Sequence, residues 1–265
     1  MRLLRSLCIA FGMYSRISVP HVKWNEENMK YSMCFFPLVG ILPAAAVFGW
    51  WKLCCLLEIP SGFGAAVFTV LPYFLIGGIH LDGYLDTSDA RGSYGDREKK
   101  LEILKDSHVG AFAVTACVIG AILVYGCWEG LLLMRTVRGA EALSKAVMAA
   151  GSGFILARAF SGLAVVTFPK AKDSGLLHLF STAAQKQIVK WTMILVILAG
   201  VGFCVGVCQI YGIGVMISCS GMFLYYYRMA IKEFGGTTGD LAGYYVCMAE
   251  MSSLLMITVL ILLRV

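Results

Sequence analysis

Residues 191–227 form a run of 37 side chains without a single charge. About 20 apolar residues suffice to cross the hydrocarbon core of a bilayer. The run is therefore too long for one crossing and long enough for two, and the Gly-rich stretch Tyr211-Gly212-Ile213-Gly214 is the expected turn between them. Five further runs share this character. Residues 31–51, 59–79 and 109–128 are uncharged, residues 146–168 are broken only by Arg158, and residues 241–263 only by Glu250. Together they predict an all-α, polytopic integral membrane helix bundle of about 7 transmembrane helices, in a single domain over residues 1–265. Residues 3–14 are apolar but too few to cross, and no A-x-A cleavage site precedes Pro20. They predict a short N-terminal interfacial or re-entrant helix.

The charge content fits lipid as the main solvent. Only 14% of the 265 residues are charged, against roughly 25% in soluble domains. That excludes an ordinary soluble enzyme, a disordered chain and a coiled coil. The net charge of +6 is scattered over short loops, whereas nucleic-acid binding needs a clustered basic patch. The expected partner is the lipid bilayer, with no nucleic acid. With the N-terminus in the cytoplasm, segments 1–30, 80–108, 169–190 and 228–240 face inward and carry 16 Lys and Arg. Five lie on the other side: Lys52, Arg135, Arg138, Lys145 and Arg264. This is the positive-inside bias. Ten cysteines show no CxxC pair and sit mostly in apolar runs, so they are read as small hydrophobes rather than as disulfides or zinc ligands. The sequence leaves homo-oligomerisation open.

Seven of the 16 acids fall between His80 and His108. Asp82, Asp86 and Asp89 stand at i, i+4 and i+7, one face of a helix. Three like charges in a row destabilise an unliganded helix, and a divalent cation reverses that interaction. Hard oxygen donors suit Mg²⁺, Mn²⁺ or Ca²⁺ rather than zinc. Asp96, Glu98 and Glu102 read better as solvated acids paired with basic neighbours. Asp106, just before the third long run, is either a fourth carboxylate or the cap of that helix. His80 and His108 are candidates for a base or a phosphate donor, or for interfacial hydrogen bonding. Charges inside a span are functional candidates by default, which singles out Arg158 and Glu250; the other reading pairs them with each other or with an embedded carbonyl. Gly235-Gly236-Thr237-Thr238-Gly239-Asp240 could hold phosphate at a helix start or form a simple turn capped by Asp240. Lys170 and Lys172 are either phosphate contacts or topology-setting charges. Metal-suited carboxylates, a glycine turn and basic residues on one membrane face fit phosphoryl-group transfer.

With these motifs in view, nearly the whole chain resembles the cobalamin synthase family, also called adenosylcobinamide-GDP ribazoletransferases. Residues 14–20 (YSRISVP) are similar to the family's "TRLPVP", and residues 36–40 match its "FPLVG". Residues 77–89 closely match "GGxHLDGxxDTxDG", residues 102–110 are similar to "EIMRDSRxG", and residues 235–240 match "GGxTGD". Ala90, Lys105, His108 and Cys247 depart from the family's glycine, two arginines and an earlier glutamate. The resemblance implies a Mg²⁺-dependent transferase of a prokaryotic cytoplasmic membrane, with its active site on the cytoplasmic face. In the implied reaction a ribose hydroxyl of α-ribazole, or of its 5′-phosphate, attacks the cobinamide-side phosphorus of adenosylcobinamide-GDP. GMP leaves, and adenosylcobalamin or its 5′-phosphate forms. On this basis Asp82, Asp86, Asp89 and Asp106 are expected to hold Mg²⁺, and His80, Asp86 and Arg158 to act in catalysis. Arg91, Lys105, Ser107, His108, Gly235, Gly236, Thr238, Gly239, Asp240 and Glu250 are the expected substrate contacts.

Two other readings compete. A CDP-alcohol phosphotransferase also carries aspartates on membrane helices, but here six residues separate Asp82-Gly83 from Ala90-Arg91 where its pattern is "DGxxAR", and its downstream Gly-to-Asp spacing is absent. A metal or metabolite transporter would place acids at the midplane and show inverted repeats; here the trio follows a span and no repeat is visible.

Overall fold

A computed structural model describes residues 2–172 and 175–263, the side chains at 136 and 176 excepted; Arg264 lies outside them. Among these residues helices run nearly end to end, and the only strand-like pairing is one bridge between Lys170 and Thr237. The chain opens with the expected short helix, α1 (Arg2–Tyr14), which buries Ser6, Ile9 and Ala10 and leaves Leu3 and Leu4 exposed. The first long stretch is assembled from α2 (Glu26–Met29), a 3₁₀ turn (Ser32–Phe35), α3 (Phe36–Val39) and α4 (Ile41–Leu56). There follow α5 (Ser61–Ile76), α6 (Ile79–Gly92), α7 (Arg97–Ile103), α8 (Ala111–Leu133), α9 (Arg135–Thr167), α10 (Leu176–Ala183), α11 (Lys186–Phe203), α12 (Gln209–Met229) and α13 (Gly239–Leu262).

Lipid and protein neighbours are told apart by side-chain size. On α8, Val114, Val118, Ile119, Ile122 and Leu123 stand exposed, as hydrocarbon-facing residues must. α9 is the opposite case: Ala146, Ala149, Ser152, Ala157, Ala159, Ser161 and Ala164 are buried. Such small residues let neighbouring helices approach closely in a membrane, and α4, α11, α12 and α13 pack around α9. All ten cysteines are free thiols.

Among the described residues, five helical stretches are long and apolar enough to cross a membrane, or six if the bent pair α5–α6 counts as one. One of the five, Lys186–Phe234, is 49 residues long and folds back on itself. A Cβ added to Gly212 would lie 2.6 Å from the Cα of Cys204, whereas eight residues along one helix span about 12 Å. Counted as two arms, with α5 as a crossing, this gives the seven spans read from the sequence. The turn itself is displaced from the expected position. It falls in a π-helical segment, Cys204–Cys208, and at Gln209, whose φ is +54°. Gly212 and Gly214 serve helix contact instead; a Cβ on Gly214 would meet Met256 and Leu260 at 2.9 Å.

α6 departs from α5 at a bend of 103°. Its polar composition and this angle place it across the membrane surface rather than through it. It packs against α13 with almost no space between backbones: a Cβ on Gly83 would sit 2.6 Å from the carbonyl oxygen of Asp240. Backbone cannot give way as a flexible side chain does. Gly83→Ala is therefore expected to force α6 off α13, costing about 1–3 kcal/mol and lowering the thermal inactivation midpoint. A variant with unchanged midpoint would show that the helices separate freely.

Candidate active site

A cavity of about 340 Å³ opens where α6 and the start of α13 face α1 and α10. One wall is polar: Asp82, Lys105, Lys172, Thr237, Thr238 and Asp240. The other carries Tyr14, Phe36, Leu177 and Phe180. His80 lies at the junction, 8% exposed. Its ring stacks on Tyr14 at 5.9 Å and meets Phe36 edge-on at 5.6 Å. Its Nε2 is buried with no hydrogen-bond partner among the described residues. Burial, reinforced by the Arg158 charge, pushes the imidazole well below the ordinary histidine range, so it is neutral at pH 7.

The glycine motif positions this wall more than it lines it. Gly235 takes the left-handed conformation (φ +73°) that ends the helical segment before it. Gly236 lets the chain lie against residues 170 and 171; a Cβ there would fall 2.5 Å from the nitrogen of Ala171. Thr237 N–H donates to the Pro169 carbonyl at 2.8 Å, and Ala171 N–H to the Thr237 carbonyl at 3.0 Å. This pairing holds the segment bearing Lys172 beside the start of α13, and Tyr226 fixes the Thr237 hydroxyl. Thr238 caps α13 by accepting from Leu241 N–H at 3.2 Å. Nothing lies within 4 Å of where a Gly239 Cβ would be. The open, electropositive helix start of Thr238-Gly239-Asp240 therefore faces the cavity, while Gly235 and Gly236 do not line it.

The aspartates divide by role. Burial, with Asp82, Asp240 and Asp89 nearby, raises the Asp86 carboxyl to about 6. Asp240, from a different helix, thus belongs to the cluster electrostatically. Asp89 is engaged elsewhere: its carboxylate accepts Gly110 N–H at 2.6 Å and Ala113 N–H at 2.8 Å, capping α8 from α6. Asp106 is exposed and bound to His108, through its backbone N–H at 3.0 Å and its ring at 2.6 Å. These contacts hold the Asp106 carboxyl below its usual range. Among the described residues no three His, Cys, Asp or Glu side chains converge closely enough to hold a metal, so the four expected ligands form no closed cage. Asp89→Ala should remove the α8 cap at about 1 kcal/mol, read as a lower unfolding midpoint. Complete loss of turnover with an unchanged midpoint would instead assign Asp89 to the reacting centre.

Other expected contacts also resolve. His80, Asp82, Lys105, Thr238, Gly239 and Asp240 line the cavity; Ser107 and His108 are exposed outside it. Arg91 is held by Glu233 at 3.3 Å and donates to the Tyr244 hydroxyl at 3.0 Å, with Lys100 2.8 Å from the same carboxylate. It fastens α6 to α13 and to the end of the α12 arm. Arg158, fully buried, donates to Glu250 and to the Phe154 carbonyl, each at 2.7 Å. The two intramembrane charges therefore pair with each other. Glu250 borders a second, small cavity of about 50 Å³ beside Tyr73 and Cys247. Sequence reasoning missed Tyr14, Phe36, Ser161, His178 and Phe180 in the main cavity. Tyr14, Phe36 and Ser161 lie in apolar runs where hydrophobicity alone does not separate cavity-facing from lipid-facing positions, and Phe180 and His178 lie in the segment 169–190 between runs, where no motif marks them.

Fold and site together define a polytopic helical membrane protein with an enzyme-like cavity, acidic and basic on one side and aromatic on the other. A family model described as cobalamin-5-phosphate synthase matches residues 6–258, and the chain belongs to that family. Curated relatives named adenosylcobinamide-GDP ribazoletransferase agree with this assignment. The protein of Lachnoclostridium phytofermentans is 39% identical over 95% of this chain and 92% of its own. That of Desulfitobacterium hafniense is 32% identical over 95% and 96%, and that of Clostridium botulinum (strain Alaska E43 / Type E3) 29% over 95% and 96%. No solved structure matches the chain. Membership sets aside the CDP-alcohol and transporter readings.

Proposed function

We propose that this chain joins α-ribazole, or its 5′-phosphate, to adenosylcobinamide-GDP and releases GMP, a late step of cobalamin assembly. The observation that carries this is one cavity in which aspartates, lysines and an open helix start meet an aromatic wall. A diphosphate has partners at Lys105, Lys172 and the Thr238–Gly239 backbone. In-line displacement at phosphorus needs mainly positioning and charge stabilisation, and these groups supply both. Neutral His80, whose buried Nε2 lacks a partner among the described residues, borders the cavity and is the candidate to accept the attacking hydroxyl's proton.

The donor chemistry fits Mg²⁺. Mg²⁺ is usually held by one or two carboxylates plus substrate phosphates and water, not by an all-protein cage. Asp82 and Asp86 would hold it, facing Asp240, and the crowding that raises the Asp86 carboxyl is the repulsion a cation relieves. When bound, it would neutralise charge developing on the phosphate oxygens. The inward bias of Lys and Arg supports a cytoplasmic-membrane enzyme with this cavity on the cytoplasmic face. Purified protein given adenosylcobinamide-GDP, α-ribazole and Mg²⁺ should release GMP, and EDTA should stop it. Absence of GMP with intact protein would refute the reading. In vesicles, impermeant donor should react only when the cytoplasmic face is outward.

A further inference from the structure

We infer that the aromatic wall of the main cavity is the subsite for the planar base of the ribazole acceptor; this rests on the proposed transferase activity. The wall is built by rings from separate elements: Tyr14 at the end of α1, Phe36 at the start of α3, His80 on α6 and Phe180 on α10. Tyr14 lies 4.4 Å from Phe36, 5.9 Å from His80 and 6.1 Å from Phe180, centroid to centroid. Phe36 and Phe180 are 3% and 2% exposed. They are thus turned inward, whereas lipid-facing aromatics of this chain such as Trp191 and Phe74 stand 64% and 65% exposed. Bringing four ring-bearing elements to one cavity, directly beside a phosphate-suited wall, suits a ligand with a flat ring at one end and a sugar hydroxyl at the other.

Three rings take part in the proposed reaction, and the wall discriminates among them. A corrin macrocycle with its side chains is too broad for about 340 Å³. Guanine carries several edge donors and acceptors, which cost free energy if buried without partners. Met13, Met33, Leu177 and Val165 complete this end of the cavity, and outside the polar wall His80, Ser161 and His178 add side-chain partners, fewer than guanine's edge donors and acceptors need. A benzimidazole has a nearly apolar edge and two faces to stack, and is the ring this wall accommodates. With the base against Tyr14 and Phe180, its ribose extends past His80 toward Asp82 and Asp240. The N-terminal helix then does more than rest at the interface, because its last residue forms part of the acceptor site.

Full-length protein in detergent or nanodiscs tests this with Tyr14→Leu and Phe180→Leu, measuring KM separately for α-ribazole and adenosylcobinamide-GDP. Each variant is expected to raise KM for α-ribazole about three- to tenfold, the scale of one lost aromatic contact, with donor KM within about twofold of wild type. A raised donor KM with unchanged α-ribazole KM would assign the wall to the donor and overturn the inference. A second measurement needs only the wild type: α-ribazole against ribose lacking a base, as competing acceptors. Preference for α-ribazole by an order of magnitude or more supports a base subsite, and equal use of the two overturns it. If wild-type protein releases no GMP, the proposed function fails; GMP release with unaltered α-ribazole KM in both variants removes only the subsite.

Discussion

Asp86→Asn is expected to reduce GMP release on the order of 10³-fold, because a lost metal ligand removes several kcal/mol of charge stabilisation and each 1.36 kcal/mol is tenfold in rate. Stability should move the other way. In the folded protein the Asp86 carboxyl titrates at about 6, raised by burial and by Asp82, Asp240 and Asp89. A raised carboxyl means the fold prefers the neutral form, so above pH 6 the charged side chain opposes folding. Asparagine removes that charge, and the thermal midpoint at pH 7.5 should hold steady or rise. Loss of activity combined with unimpaired stability is the mark of a group kept for chemistry. Near-normal turnover with unaltered Mg²⁺ dependence would sink the metal role, and a large fall in midpoint would make Asp86 structural. Asp82→Asn should resemble Asp86→Asn in activity, because Asp82 lines the cavity and is the other carboxylate expected to hold the metal.

Much of this was legible in the sequence, for reasons tied to period and polarity. Uncharged runs of membrane length located the spans, and their scarcity of charge made the acids between His80 and His108 stand out. Helical spacing put Asp82, Asp86 and Asp89 on one face of α6, but spacing within one helix says nothing about what each side chain meets. Asp89 meets the start of α8, 21 residues on, and Asp240 enters the cluster only because α13 packs against Gly83. The glycine pair at 235–236 announced a turn, but the close approach of Gly236 to residues 170 and 171 depends on a partner far away in sequence. The aromatic wall was invisible for a different reason. In a membrane protein apolar residues face both lipid and interior, so hydrophobicity no longer reports burial. Tyr14 and Phe180 look like any interfacial aromatic until α1 and α10 are placed.

Glu250→Leu carries the largest expected stability effect. Arg158 is fully buried, and Glu250 is the one carboxylate it meets, at 2.7 Å, among the described residues. Its Nε and Nη2 already lack partners among those residues. Deleting the carboxylate leaves a guanidinium, which cannot deprotonate, without a counter-charge inside the bundle. Breaking such a pair costs about 3–5 kcal/mol, a fall on the order of 10 °C for a chain of this size. Replacing both partners by apolar residues removes the buried charge altogether and is often close to neutral. The double variant Arg158→Met with Glu250→Leu should therefore recover most of the lost midpoint, a coupling that a double-mutant cycle measures directly. The same cycle separates packing from chemistry. Arg158 lies close enough to His80 to help keep it neutral, and Ser161, one turn further along α9, lines the cavity. If the pair only stabilises the bundle, GMP release per folded molecule in the double variant follows the recovered midpoint. A double variant that is stable but inactive would show that the charge beneath His80 takes part in the reaction. A Glu250→Leu protein as stable as the wild type would mean that Arg158 has another counter-charge in the membrane.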